Sequence, residues 1–361
     1  MKHLEYYKNQ RPSSDHFITR KCQLPLSGNL NLYGVRGSGK TTLALHLLDA
    51  IETQNALYID FQDPNLLLYT LTSSTLQAYI DKEGITLLIL DHYRASQLSH
   101  FPKVPRLIVL SRIPLHDSAC TSIELFPLDY EEFLAFSSAS SQQSGFKHFL
   151  RAGTLPLLAR SQKHHIQAMK LFFQSSFSPA EQKLLLILAQ HNTKHLTTNQ
   201  IYTFAKEKFK VSKDWLYKTI QTFTEEKLII FIEDSHKKSG KKMFLFDFAF
   251  AKYLTIGQPF SIQFDTMIAL ALMKHGIIMK TLGIHGYLTH TNELILAAPF
   301  ESEESLWVKS QKKFSLYKKQ NIHKVTIVTV ANHYDYTIEN ILFEALPFDE
   351  WSITLLEYTE L

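Results

Sequence analysis

The chain has 361 residues, 45% of them hydrophobic and 20% charged, with a formal net charge of +4 and a pI of about 8.7. This is globular composition with enough material for two or three domains, and the mild positive excess permits a nucleic-acid partner without requiring one. No run of about 18 uninterrupted apolar residues occurs, and the opening MKHLEYYKNQRPSSDHF has no apolar signal core, so no membrane span is expected and a cytoplasmic location is. The only cysteines, Cys22 and Cys120, are far apart and without metal-like spacing, which argues against a disulfide framework or a zinc site. The 17 histidines are scattered, and the pairs His164–His165 and His285/His290 lack a ligand-rich context.

The first element is the short apolar run NLNLYG, a buried strand, followed by GVRGSGKT from Gly34 to Thr41 and the apolar helix TTLALHLLDAI. Strand, glycine turn and helix is the context in which G-x-x-x-x-G-K-[ST] forms a phosphate loop. The candidate phosphate-binding residues are Gly34, Gly37, Ser38, Gly39, Lys40, Thr41 and Thr42. Glycines let successive N–H groups converge on phosphate oxygens, and the helix N-terminus adds positive potential. Lys40 would reach the outer phosphates and Thr41 would hold Mg²⁺. No N/T-K-x-D guanine-reading segment occurs, which agrees with ATP.

Alternating strands and helices follow, as in a parallel sheet with helices on its faces. NALYIDFQDP (55–64) reads as a second strand. GITLLILDHY (84–93) is a buried strand delivering Asp91 to the magnesium shell, with His92 where a water-activating glutamate usually stands. PRLIVLSRIPL (105–115) is another buried strand, ending in Ser111 and Arg112 at the end of the sheet where ligands bind. SIELFPLDYEEFLAF (122–136) gives a short strand, a turn at Pro127 and a helix. SSASSQQSG (137–145) reads as a mobile polar loop, and FLRAGTLPLLAR (149–160) as a helical region interrupted at Gly153 and Pro156.

In order and spacing, the phosphate loop at 34–41, the carboxylate strand at 87–91, LSR at 110–112, LFPLDYEEF at 125–133 and GTLP at 153–156 resemble the AAA-related STAND and archaeal-type ATPases. The resemblance covers roughly residues 1–160. Adenine as the base is implied only by this resemblance. It also implies that Arg112 senses the γ-phosphate and that Pro156 lies near the adenine, with Lys40, Asp91 and Arg112 as the catalytic set. Thr41 and Asp91 are its metal residues. His92 is the departure that bears on turnover. Relatives include both monomers and rings, so a homo-oligomer with an arginine from Arg94, Arg106 or Arg151 acting in trans stays open.

SPAEQKLLLILAQHN (178–192), LTTNQIYTFAKEKF (196–209) and SKDWLYKTIQTFTEEKLI (212–229) read as three helices, with Ser178, a threonine and Ser212 as N-caps. LIIFIEDSHKKSGKKMFLFD (228–247) reads as a hairpin turning at Gly240. Three helices and a hairpin make a winged helix. Lys213 and Lys218 on the third helix and Lys237, Lys238, Lys241 and Lys242 at the wing are the candidate contacts to double-stranded DNA. A solvated hairpin tip, or a docking module facing a protein partner, is the alternative.

FDTMIALALMKHG (264–276) is expected as a helix, GYLTHTNELILAAP (286–299) and SLWVKSQ (305–311) as strands, 311–320 as a basic helix and HKVTIVTVA (323–331) as a strand. This order resembles the PD-(D/E)xK nuclease-like fold attached to many archaeal-type ATPases. Glu293 would take the first acidic position and Lys309 the lysine, with Trp307 in the glutamate slot, so a degenerate fold serving packing or interaction is expected. The expected layout is an α/β P-loop ATPase domain at 1–160 with a helical lid at about 126–175, a winged helix at 176–252 and a small α/β domain at 253–361.

Overall fold

The computed structural model describes residues 2–9, 12–13, 17–50, 55–137, 142–161, 164–236, 239–284 and 286–355. The chain forms two compact units, Met1–Pro127 and Leu128–Leu361.

The first unit contains α1 (Lys2–Asn9), β1 (Leu30–Tyr33), α2 (Lys40–Ala50), β2 (Ala56–Asp60), α3 (Ser73–Glu83), β3 (Leu87–Tyr93), β4 (Arg106–Ser111) and β5 (Thr121–Glu124). The strands form one sheet in the order β2-β3-β4-β1-β5, every pair parallel. This is the P-loop NTPase core. β4 lies between the strand that feeds the glycine turn and the strand that carries Asp91.

The continuous apolar runs are long because both faces of the sheet are covered. Leu88, Leu90, Leu107 and Val109 pack with Leu4, Tyr7, Leu76, Tyr79 and Ile80 of α1 and α3. Their neighbours Leu87, Ile89, Ile108 and Leu110 pack on the other face with Leu43, Ala44, Leu47 and Leu48 of α2. Successive strand residues point to opposite faces, so each face receives every second one. Each fully buried leucine or isoleucine contributes about 2 kcal/mol.

The second unit begins with α4 (Tyr130–Phe136), α5 (Gln142–Ala152), α6 (Pro156–Arg160) and α7 (His165–Ser176). Half of the polar segment expected as a loop, residues 142–145, is instead the first turn of α5; residues 138–141 lie outside the described residues. Next come α8 (Pro179–Gln190), β6 (His195–Leu196), α9 (Thr198–Lys208), α10 (Lys213–Glu225), β7 (Ile229–Ile232) and β8 (Lys241–Leu245). Capping boxes at Ser178 and Thr197 and an N-cap at Ser212 start the three helices. With β6-β8-β7 as a three-stranded sheet, this is a winged-helix arrangement.

Then follow α11 (Phe248–Tyr253), α12 (Phe260–Lys274), β9 (Met279–Thr281), β10 (Gly286–Thr289), β11 (Glu293–Ala297), α13 (Glu303–Lys319), β12 (Lys324–Thr329), β13 (Tyr334–Ile338), β14 (Ile341–Pro347) and α14 (Phe348–Thr354). The six strands form a mixed sheet, β13-β14-β12-β11-β10-β9. The strand expected at 305–311 is instead the first half of α13. Ser302 caps it, Glu303 and Glu304 occupy its first turn, and its buried residues are Leu306, Ser310 and Tyr317. That spacing is helical, although Leu-Trp-Val alone favours a strand. The run 286–299 is two strands, β10 and β11, paired antiparallel around Asn292, whose φ is +61°.

Two sets of contacts join the winged helix to the mixed sheet. The β7 end runs on into the β9 edge through a parallel bridge between Asp234 and Thr281. There Thr281 N–H donates to the Glu233 carbonyl at 2.8 Å and Ser235 N–H to the Thr281 carbonyl at 2.9 Å. Deeper in, Lys242 of β8 lies 2.7 Å from the Asp265 carboxylate of α12, both side chains fully buried. Tyr287 of β10 donates to the same carboxylate.

Candidate nucleotide-binding site

The site is built where β1 gives way to α2. Gly34 adopts φ +146°, Gly37 +79° and Gly39 +95°. A Cβ on Gly34 would stand 2.4 Å from the Leu125 carbonyl oxygen, so this position admits no side chain. Lys40 Nζ donates to the carbonyls of Gly34 (2.8 Å) and Val35 (3.0 Å), which folds the loop over its own lysine. Ser38 is fully buried, and its hydroxyl oxygen has no protein partner among the described residues. Thr42, in the first turn of α2, is exposed.

Beneath the loop lies Arg20, 7% exposed. It donates to the Ser38 carbonyl at 2.8 Å and to the Phe126 carbonyl at 2.7 Å. A guanidinium satisfying two carbonyls in this way ties the glycine loop to the segment after β5. Nothing in the irregular segment around Arg20 marks it in the sequence.

Asp91 is 1% exposed. Thr41 donates to its carboxylate at 2.7 Å, Tyr58 of β2 at 2.8 Å, and the His92 N–H at 2.7 Å. Thr41 and Asp91, each expected at the metal, are in direct contact, and Tyr58 is a partner that the sequence did not point to. Burial and the Asp91 charge push the Tyr58 hydroxyl far upward, so it stays a donor. A buried carboxylate and a threonine hydroxyl at the phosphate loop are hard oxygen ligands of the kind Mg²⁺ takes; Thr41 and Asp91 fit it.

His92 has φ +53° and sits at an irregularity in register. Leu90 pairs with Val109 and Tyr93 with Ser111, so Asp91 and His92 together oppose one residue of β4. This is a β-bulge, which re-aims side chains. The His92 ring meets Asp60 at the end of β2, with Nδ1 2.7 Å from Oδ1. Burial lowers its pKa, but the Asp60 hydrogen bond and the charges of Asp91 and Asp60 outweigh that, and the net shift is upward; Lys40 is near enough to oppose it. Desolvation raises the Asp60 carboxyl, yet the hydrogen bonds from His92 and the Gln62 N–H carry it below its ordinary value.

At the end of β4, Ser111 is tied into the sheet. It accepts from Asn31 at 2.8 Å and donates to the Ile113 carbonyl at 2.6 Å. Arg112 follows it, half-buried. Pro156 belongs to the second unit, where it opens α6 after the left-handed Gly153.

The candidate DNA contacts separate sharply. Lys213 and Lys218 are exposed on α10, with Lys213 over the Tyr217 ring at 5.5 Å. Lys241 is exposed and pairs with Glu233 at 3.0 Å. Lys237 and Lys238 lie outside the described residues. Lys242 is 0% exposed; its ammonium is held by Asp265, the Ile284 carbonyl (2.6 Å) and Tyr287 (3.2 Å). The expectation that it contacts phosphate is thus corrected, because strand alternation turns it inward while Lys241 faces out.

The nuclease-like residues also part company. Glu293 is buried on β11, where it accepts from Thr326. Lys309 projects from α13 to pair with Glu301. Trp307 packs edge-on against Tyr336. Among the described residues no group of three or more His, Cys, Asp or Glu is placed to hold a metal, and no helix is long and apolar enough to cross a membrane.

Residues 27–97, from β1 through β3, match the family described as an AAA domain. No curated protein matches the chain. Among solved structures, a Walker-type ATPase of Pyrococcus abyssi is similar at 14% identity and TM-score 0.43, covering 63% of this chain and 91% of that one. The Aeropyrum pernix Orc1 protein in complex with DNA is similar at 11% identity and TM-score 0.30, covering 63% and 86%. The Drosophila origin recognition complex bound to DNA follows at 12% and 0.23, covering 67% and 90%. Likeness at these scores carries no argument about function. The first unit has the sheet order and glycine loop of a P-loop NTPase domain, and its residues 27–97 resemble an AAA domain.

Proposed function

We propose that the protein binds ATP with Mg²⁺ and works as a slow or partner-stimulated ATPase switch, passing between ATP-bound and ADP-bound forms. The observation that carries this reading is the contact of Thr41 with the buried Asp91 carboxylate, beside a loop whose lysine is already in place. In this reading Lys40 neutralises the outer phosphates and Thr41 and Asp91 hold the metal. Arg112 senses the γ-phosphate. Nucleotide acts as a switch only if it binds two arrangements of the protein with different affinity. A cytoplasmic location and a possible homo-oligomer belong to the same reading.

The test is phosphate release from ATP, with and without double-stranded DNA, for wild type and Lys40→Ala. Release that depends on Lys40 and rises with DNA supports an ATPase responsive to DNA. ATP binding without release supports a switch awaiting a protein partner. Failure of the wild type to bind ATP overturns the reading.

The second reading, a DNA-binding regulatory or defence protein with structural ATP, is favoured by the exposed lysines of α10. It expects Lys213→Ala/Lys218→Ala to weaken DNA binding and lower its salt slope by about 2; no DNA affinity at low salt sinks it. A scaffold role for the mixed sheet is the remaining alternative.

A further inference from the structure

We propose that Asp60 and His92 together replace the missing glutamate: Asp60 fixes the imidazole, and His92 Nε2 orients the water that attacks ATP. The proposal rests on the ATP reading above and extends it to the residues that make turnover possible.

Three observations carry it. The first is the backbone. Six described non-glycine residues have positive φ, and His92 is the one inside a strand; Thr193, Lys227, Asn292, Asn321 and Glu339 are in turns. A left-handed histidine in a strand costs about 1 kcal/mol or more, and such strain persists where the surroundings enforce it. Here it lets Asp91 and His92 occupy one bulge at the carboxyl end of the sheet while Tyr93 returns to the core. The second is the Asp60 contact, 2.7 Å to Nδ1. A carboxylate only accepts, so Nδ1 carries the proton and, in the neutral ring, Nε2 presents its lone pair. The third is location. His92 follows Asp91 directly and keeps 36% of its side chain open to solvent.

Nε2 accepts one hydrogen bond from a water and so aims its oxygen. In the step, that oxygen bonds to the γ-phosphorus as the bond to the β–γ bridging oxygen breaks, its electron pair leaving on ADP. One proton of the water remains on the new phosphate and the other passes to solvent. Asp60 touches no substrate; it is a positioning residue.

The experiment uses the full chain. Affinity for a fluorescent ATP analogue and single-turnover phosphate release are measured for wild type, His92→Ala, His92→Glu and Asp60→Asn, with Lys40→Ala as the control. The expected result is unchanged affinity in the three site variants. Release should fall about 100-fold in His92→Ala, fall less in Asp60→Asn and recover in His92→Glu. Long-range ¹H–¹⁵N spectra of the nucleotide-free protein at pH 8, with His92 assigned by its loss in His92→Ala, should show protonated Nδ1 and bare Nε2, and Asp60→Asn should disturb that state.

Weaker ATP binding in His92→Ala, made worse in His92→Glu, would mean that the ring contacts phosphate and would overturn the proposal. So would unchanged release in His92→Ala, a protonated Nε2, or a wild type that binds ATP without any release. If the wild type does not bind ATP, or binds it equally after Lys40→Ala, the ATP reading itself falls and the water-orienting role with it.

Discussion

A single absent side chain sets the shape of the phosphate loop. Gly34 combines a φ of +146° with a carbonyl oxygen 2.4 Å from where a Cβ would be. Gly34→Ala has to move the backbone at Leu125 as well as its own, and is expected to destabilise the first unit by about 3 kcal/mol and to abolish nucleotide binding. Urea unfolding followed in the first unit checks this. Lys40, Thr41 and Asp91 were legible because the loop has a fixed spacing and the carboxylate ends an apolar run. Tyr58 and Arg20 were not. Each acts through a contact with a residue distant in sequence, Asp91 for one and the Ser38 and Phe126 carbonyls for the other, and no local pattern encodes such a contact.

Elements were readable where local chemistry and periodicity agree. Ser178-Pro-x-Glu places an N-cap, a proline in the first turn and a reciprocal glutamate in four residues, and α8 starts there, with Glu181 accepting from the Ser178 N–H at 2.7 Å. Ser178→Ala should cost about 1 kcal/mol and lower the melting temperature of the second unit by about 2–4 °C, measured by circular dichroism. The stretch 305–311 misled because its β-forming residues sit in a helical repeat whose cap and acidic first turn lie just before it. The bulge in β3 was also beyond reach. LLILDHY reads as an unbroken strand, and only pairing with β4 shows that two residues face one.

At the scale of the molecule, the winged-helix lysines show how burial decides between a ligand contact and a structural one. Lys242 and Asp265 are 1% and 0% exposed at the side chain. Removing one charge strands the other: Lys242→Met is expected to cost about 3–5 kcal/mol. The double variant Lys242→Met/Asp265→Leu should recover much of that, because two apolar groups leave no ion behind. Denaturant titration of the three proteins decides it. Burial pulls the Lys242 ammonium down in pKa while Asp265 holds it up, and the net direction is down.

The bridge between Asp234 and Thr281 bears on how this chain can be cut. A fragment ending near residue 252 would keep all three helices and the hairpin yet lose Thr281, which bridges the segment just past β7, leaving the Glu233 carbonyl and the Ser235 N–H bare at the sheet margin. It would also strip Lys242 of Asp265, the Ile284 carbonyl and Tyr287, which hold its ammonium in the whole unit. Such a fragment should self-associate, detectable by light scattering, whereas one spanning 128–361 should remain monodisperse. The hairpin that looks like an appendage in the sequence is a shared seam, and a cut that keeps it intact has to keep α12, β9 and β10 as well.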